Sequence, residues 1–319
     1  MLEPRRPPRP VRVEVERAID RQDVAVALQR TFSSPAYRPP VLPAAAAELL
    51  QLSQRADLEF DEVVRLLGKD PVLAARVLSI AQSAVFAGRS PIATLHQAVV
   101  RLGARRMRDL VLEAALHLQV FRVPGFDAPV ARLARHSVAV AHVMRAVCRR
   151  LGVDAEHAFL LGLLHDVGFA AGYLALSATP LEDGVSPADV SAVLDEVHEE
   201  ASATLLGLWR IPEPIRAIVA RHHDLAVDGR PERLVAALVV AEQLAWEAGA
   251  GIEPPPPDAS PLSLETPEPP LGGLDVNWSG VVEEAARLLG LAPLALGAAR
   301  AEAFELVRAL DQGGGAARR

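Results

Sequence analysis

Two adjacent residues, His165 and Asp166, interrupt an otherwise apolar run over 158–172, AFLLGLLHDVGFAAG. A carboxylate buried without a partner is strongly destabilising, so Asp166 requires a cation, a hydrogen-bond network or a route to water. More imidazoles and carboxylates interrupt or border apolar runs elsewhere: His136 in RHSVAVA, His198 in DEVHEEA, His222 and His223 in ARHHD, and Glu242 in VVAEQLA. Neutral imidazoles with carboxylates are the ligand mixture that Zn, Mn, Fe or Ni accepts, and Asp166 could bridge two such ions. The chemistry to expect is therefore the binding of one or two divalent ions. None of the separations forms a local ligand motif such as HExxH, so the spacing alone leaves other readings open. His165 and Asp166 could be a hydrogen-bonded pair that fixes helix packing. His222 and His223 could end an exposed helix, where imidazolium meets the C-terminal dipole. His198 could lie on a solvated face with Glu196, Glu199 and Glu200, and Glu242 could be a surface glutamate ahead of Trp246.

The elements that must carry these residues read as helices. Ala, Leu, Val and Arg dominate while aromatics make up 4% of the chain, which favours helices packed through small and aliphatic side chains. No strand pattern competes. At 319 residues, half of them apolar, the chain can build one large domain or two lobes around a sizeable core. AAAAELLQL and residues 60–67 show helical periodicity, and Asp70 followed by Pro71 is a helix start for LAARVLSIAQSAVF. Thr94 with Gln97 forms a capping box for a helix that Gly103 closes as a left-handed terminator, and 105–121 continue the pattern. The break VPGFD at 123–127 separates an N-terminal lobe, 33–125, from a second lobe, 126–250. Helices are expected in the latter at about 129–151, 155–165, 187–209, 213–222 and 231–248, with Asp154, Ser186-Pro187 and Glu213-Pro214 as starts. Residues 1–32 read as a Pro/Arg arm with one short helix, and 251–273, with eight prolines, as a loop or linker. Within 274–319, Ser279–Leu289 and Ala292–Leu310 read as amphipathic helices that must fold back onto the second lobe, leaving a disordered end.

A net charge of −7 gives no overall attraction to phosphate backbones or anionic lipid, which argues against nucleic acid as a partner. The N-terminus lacks an apolar h-region and no stretch offers about 18 uninterrupted apolar residues, so neither a signal peptide nor a membrane span is expected. The single cysteine, Cys148, reads as a buried, inert thiol; a cytoplasmic location fits. Arg101, Arg105, Arg106 and Arg108 read as a solvated basic face, with a partner surface as the alternative. His96, His117, His142 and His157 read as structural or exposed; His142 lies about 120° around the helix from His136. Trp209 reads as core.

From about Leu42 to Glu242 the chain resembles the HDOD (HD-related output domain) family, helical relatives of the HD phosphohydrolase superfamily. The resemblance rests on DPVLAARVLSIAQSAVF, PIATLHQAVVRLGARRMRDL, RHSVAVAHVMRAV, FLLGLLHDVG, HEEASATLLGLWRIPEPIRAIVARHH and VVAEQLA, in the family's order. It implies an all-α, two-lobed fold with an N-terminal helical lobe packed on an HD-like lobe. By resemblance, His136 is the first metal ligand, His165 and Asp166 are the signature pair, and His198, His222 and His223 are the further histidines of two-metal members. Glu242 stands where the superfamily has its last aspartate. Phe169 occupies the position of a lysine in the cyclic-dinucleotide phosphodiesterase branch, whose Gly-Tyr-Pro element is missing after HHDLAVDGRP; cyclic-di-GMP hydrolysis is disfavoured. Gln82 and Ser202 replace an asparagine and a glycine common in the family. The function so implied is a bacterial signalling module that acts through a protein partner without catalysis. A metal-dependent phosphohydrolase, or a switch that binds a nucleotide or another phosphorylated small molecule without turnover, are the alternatives.

Overall fold

Apolar residues spaced three and four apart, with few β-branched runs, fold this chain into helices. The structure is a computed structural model that describes residues 39–52, 60–88, 90–153, 157–177, 187–252 and 278–316. The N-terminal arm, the helix starts at Asp154 and Ser186, most of the Pro-rich stretch and the extreme C-terminus lie outside the described residues.

The N-terminal lobe comprises α1 (Ala44–Leu52), α2 (Phe60–Leu67), α3 (Pro71–Ala81), a 3-10 turn (Ala84–Phe86), α4 (Leu95–Leu102) and α5 (Ala104–Gln119). Its helix ends follow local chemistry. Asp70 accepts from the Val72 and Leu73 amides at 3.1 and 3.0 Å, with Pro71 at the first helical position. Thr94 accepts from the Gln97 amide at 3.1 Å, while the Gln97 side chain accepts from the Ala93 amide at 2.8 Å. Gly103 joins α4 to α5 at φ 82° and ψ 161°. The positive φ requires glycine, but the extended ψ differs from the expected left-handed cap because α5 begins at the next residue.

The second lobe comprises α6 (Asp127–Leu151), α7 (Ala158–Leu164), α8 (Val167–Ser177), α9 (Pro187–Leu208), α10 (Glu213–Val219) and α11 (Arg233–Glu247); α12 (Trp278–Leu289) and α13 (Pro293–Ala316) follow. Helix α6 lies against α7, α11 and α13, and α8 lies against α9. Helix α12 packs on α11, while α13 reaches from α6 and α11 to the 3-10 turn of the N-terminal lobe. The stretch Ala158–Ser177 is long and apolar enough by composition to cross a membrane, yet here it is the buried centre of the lobe.

Several expectations need correction. The helix expected over 155–165 does end there, at Leu164, but a further helix, α8, follows where none was expected, with His165 and Asp166 in the turn between them. The helix expected over 213–222 ends at Val219, placing His222 and His223 in the following turn. A two-residue hairpin pairs Ala226–Val227 with Arg230–Pro231, where no strand was expected. Strands this short show no alternation to read; the hairpin depends on Asp228 and Gly229, both at positive φ. Arg108 is buried, not solvated, and its charge is met by the buried Asp109 carboxylate beside it. The Asp109 carboxylate on α5 accepts from Arg108 at 2.8 Å and from Arg145 of α6 at 3.3 Å. Arg145 also donates to His142 Nδ1 at 3.1 Å and lies 4.6 Å over the Phe159 ring.

Candidate metal centre

Five elements bring the candidate residues together. His136 comes from α6, His165 and Asp166 from the α7–α8 turn, His198 from α9, His222 and His223 from the turn after α10, and Glu242 from α11. Close backbone approach makes this convergence possible. A Cβ on Gly162 would lie 2.7 Å from the Ala141 Cα of α6, and one on Gly168 would lie 2.2 Å from the His198 carbonyl oxygen and 2.7 Å from the Ser202 nitrogen. Only glycine lets α7 sit on α6 and α8 sit on α9 at this separation. Ser202 fits the same contact, since its hydroxyl accepts from the Gly168 amide at 2.8 Å.

Asp166 stands between two groups of ligand atoms. Its Oδ2 lies 3.1 Å from His165 Nε2 and 3.5 Å from His136 Nε2, and its Oδ1 lies 3.4 Å from His222 Nε2 and 3.5 Å from His198 Nε2. Glu242 Oε1 completes the first group at 2.9 Å from His165 Nε2. His198 Nε2 lies 3.2 Å from His223 Nε2 and 3.3 Å from His222 Nε2 in the second. Ligand atoms of His136, His165, Asp166 and Glu242 lie within 4.8 Å of one another, as do those of His198, His222 and His223. His165 and His222 are fully buried, and Asp166, His136 and His198 are buried. The exposed-end reading of His222 and the solvated-face reading of His198 therefore fail.

The ring orientations are fixed from behind. Nδ1 of His136 meets the Ala250 carbonyl at 2.9 Å, that of His165 the Gly162 carbonyl at 2.9 Å, that of His198 the Asp195 carbonyl at 2.6 Å, and that of His222 the Val219 carbonyl at 2.7 Å. A carbonyl can only accept, so each of these Nδ1 atoms carries a proton and each Nε2 faces the centre. Burial alone would lower the His165 imidazole, but the Asp166 and Glu242 carboxylates outweigh it and push it up to about 10. Burial would likewise raise both acids; the His165 charge instead holds Asp166 well below the usual carboxylate range and Glu242 at about 2. In the second group burial lowers His198 to about 4 and His223 to about 3. These rings stay neutral and keep their lone pairs.

The donor set fits divalent ions. Imidazole Nε2 atoms converge 3.2–3.3 Å apart, a spacing at which lone pairs repel unless a proton or a cation intervenes. Glu242 Oε2 is buried beside them without a hydrogen-bond partner.

A match to the HDOD domain model spans residues 40–225, more than half of the chain. The chain belongs to the HDOD family. Its fold is similar to that of an HDOD domain protein of unknown function from Geobacter sulfurreducens, with 23% identity, a TM-score of 0.63, and 92% of this chain and 99% of that one covered. It is also similar to a protein from Shewanella amazonensis SB2B provisionally named a metal-dependent phosphohydrolase, with 17% identity, a TM-score of 0.67, and 91% and 98% covered. A Treponema pallidum (strain Nichols) protein, described as uncharacterized, is 24% identical over 226 residues, 67% of this chain. The match spans 43% of that protein's length.

Two residues of this HDOD site were not singled out as part of it by their sequence. Glu199, named in the sequence only as a neighbour of His198 on a possible solvated face, accepts from the His223 amide at 3.2 Å and lies 3.7 Å from His222 Nδ1. Phe169, noted in the sequence only as replacing a lysine of the cyclic-dinucleotide phosphodiesterase branch, stacks on the His198 ring at 4.7 Å as an apolar cover. Adjacency to His198 is the one signal for Glu199, and it does not reveal which turn folds against it.

Proposed function

We propose that this HDOD protein is a bacterial signalling protein whose pocket holds two divalent ions and hydrolyses a phosphate ester. His136, His165, Asp166 and Glu242 would hold one ion, His198, His222 and His223 the other, with Asp166 shared. The observation that carries this reading is the placement of one Asp166 oxygen toward each group. Such ions supply Lewis acidity and a water acidic enough to attack phosphorus at neutral pH. The chain's own residues orient the pocket: backbone carbonyls fix the imidazoles, and Phe169 shields His198 from water. A protein partner, a cytoplasmic setting and a phosphorylated small molecule as substrate belong to the same reading.

A signalling module that holds metal without turnover is the second reading. Phe169 favours it, because an apolar ring covers His198 where a cation could have met a phosphate. The two are separated by assaying Mn-, Fe-, Ni- and Zn-loaded protein on phosphomonoesters, phosphodiesters and cyclic dinucleotides. Turnover abolished in Asp166→Ala is expected; metal uptake with no turnover across the panel selects the module.

A further inference from the structure

We infer that Arg135, clamped by Asp311 of the C-terminal helix, is a positioning residue for His136, so that α13 sets the geometry of the half of the pocket that His136 builds. The inference rests on the metal reading above. The His136 ring is aimed by its Nδ1–H bond to the Ala250 carbonyl, 2.9 Å away. That carbonyl belongs to the turn after α11, entered through Gly249 at φ 83°. It is held in place from both sides. Arg135 Nη1 donates to the Gly249 carbonyl at 2.5 Å, and Arg132 Nε donates to the Ile252 carbonyl at 2.9 Å.

Arg135 is in turn locked by a fork. Its Nε and Nη2 donate to Asp311 Oδ1 and Oδ2, both at 2.8 Å, leaving Nη1 aimed at the turn. A planar guanidinium with three donors engaged has one orientation, which a lysine could not reproduce. The side chains of the pair are 38% and 50% exposed, so the pair adds little stability by itself. What it fixes is the position of a carbonyl, and through it a ligand ring. A second tie of α13 to α6 supplies the comparison: Glu302 accepts from Arg149 at 2.8 Å and from Arg150 at 2.5 Å, and those bonds do not involve the 249–252 turn.

The test uses the full chain labelled with ¹⁵N-histidine. The tautomer of His136 is read from its ring nitrogen shifts without metal, and cobalt(II) is then titrated while its visible absorption is followed. In Asp311→Ala and Arg135→Met, His136 should pass from Nδ1-protonated to a tautomer mixture, and cobalt affinity at its half-site should fall about tenfold or more. Glu302→Ala should leave both readouts at wild-type values. An unchanged His136 tautomer in Asp311→Ala, or an equal shift in Glu302→Ala, overturns the inference. If wild-type protein takes up no cobalt, the metal reading fails, and the tautomer alone still decides whether Arg135 positions the ring.

Discussion

His165 lies between two carboxylates with both ring nitrogens engaged, so an ion entering the first group must displace a proton held up to about pH 10. Metal binding should therefore release protons, and affinity should climb by up to about one decade per pH unit from pH 7 toward 10. Titration calorimetry in buffers of different ionisation enthalpy checks this; uptake without proton release would contradict it. The metal-free protein has its own pH dependence. His165, raised when folded, contributes stability that is complete below its unfolded value near 6.5 and lost as pH rises through about 10. His198 and His223, depressed when folded, contribute stability present above about 6.5 and lost as pH falls toward 4 and 3. Denaturation midpoints of metal-free protein should thus fall on both sides of neutrality. A His165→Asn variant should weaken the alkaline limb to the part that His222 supplies, raised by Asp166 and Glu242, and keep the His198 and His223 part of the acidic one. The residues of this site were legible as candidates because each interrupts or borders an apolar run, and their grouping was implied by the family resemblance. The direction of a side chain toward a distant element was not legible, which is why Arg108 was read as solvated and a solvated face stayed open for His198 and Glu199.

Helix–helix separation decides whether those residues meet. Gly168 lets α8 lie directly on α9, with the His198 carbonyl where a Cβ would be. Gly168→Ala should force the two helices apart and cost about 1–3 kcal/mol, the usual penalty of an overpacked core. It should also weaken metal binding at His198, since that ring rides on the displaced backbone. Chemical denaturation and metal titration of the same variant check both effects; wild-type stability would show that the contact relaxes freely. Helix starts such as Asp70–Pro71 and Thr94 were readable because caps act within four residues. Helix α8, which follows the break at His165, was not, because a uniformly apolar run carries no period that marks a second buried helix. The short hairpin at 226–231 escaped for a related reason: two residues per strand carry no period.

At the scale of the molecule, the lobe that holds the pocket is completed by helices from beyond the Pro-rich stretch, with α12 on α11 and α13 across α6. A ligand that binds only the folded chain stabilises it by about 2.7 kcal/mol at a hundred times its Kd. Two ions tying five elements together should therefore raise the thermal midpoint, and removal by a chelator should lower it reversibly. The all-α class was legible because it depends on composition and local pattern, whereas the family was read from the resemblance of its motifs in their order. The meeting of α6, α9 and α11 around Asp166 was implied only by resemblance, since no local spacing encodes it. Metal content of tag-free protein, measured after exposure to Zn, Mn, Fe and Ni and removal of unbound ions, tests the centre most directly. Two ions per chain in the wild type, falling to one or none in Asp166→Ala, is the predicted result; a wild-type chain that remains metal-free under every condition would contradict the account.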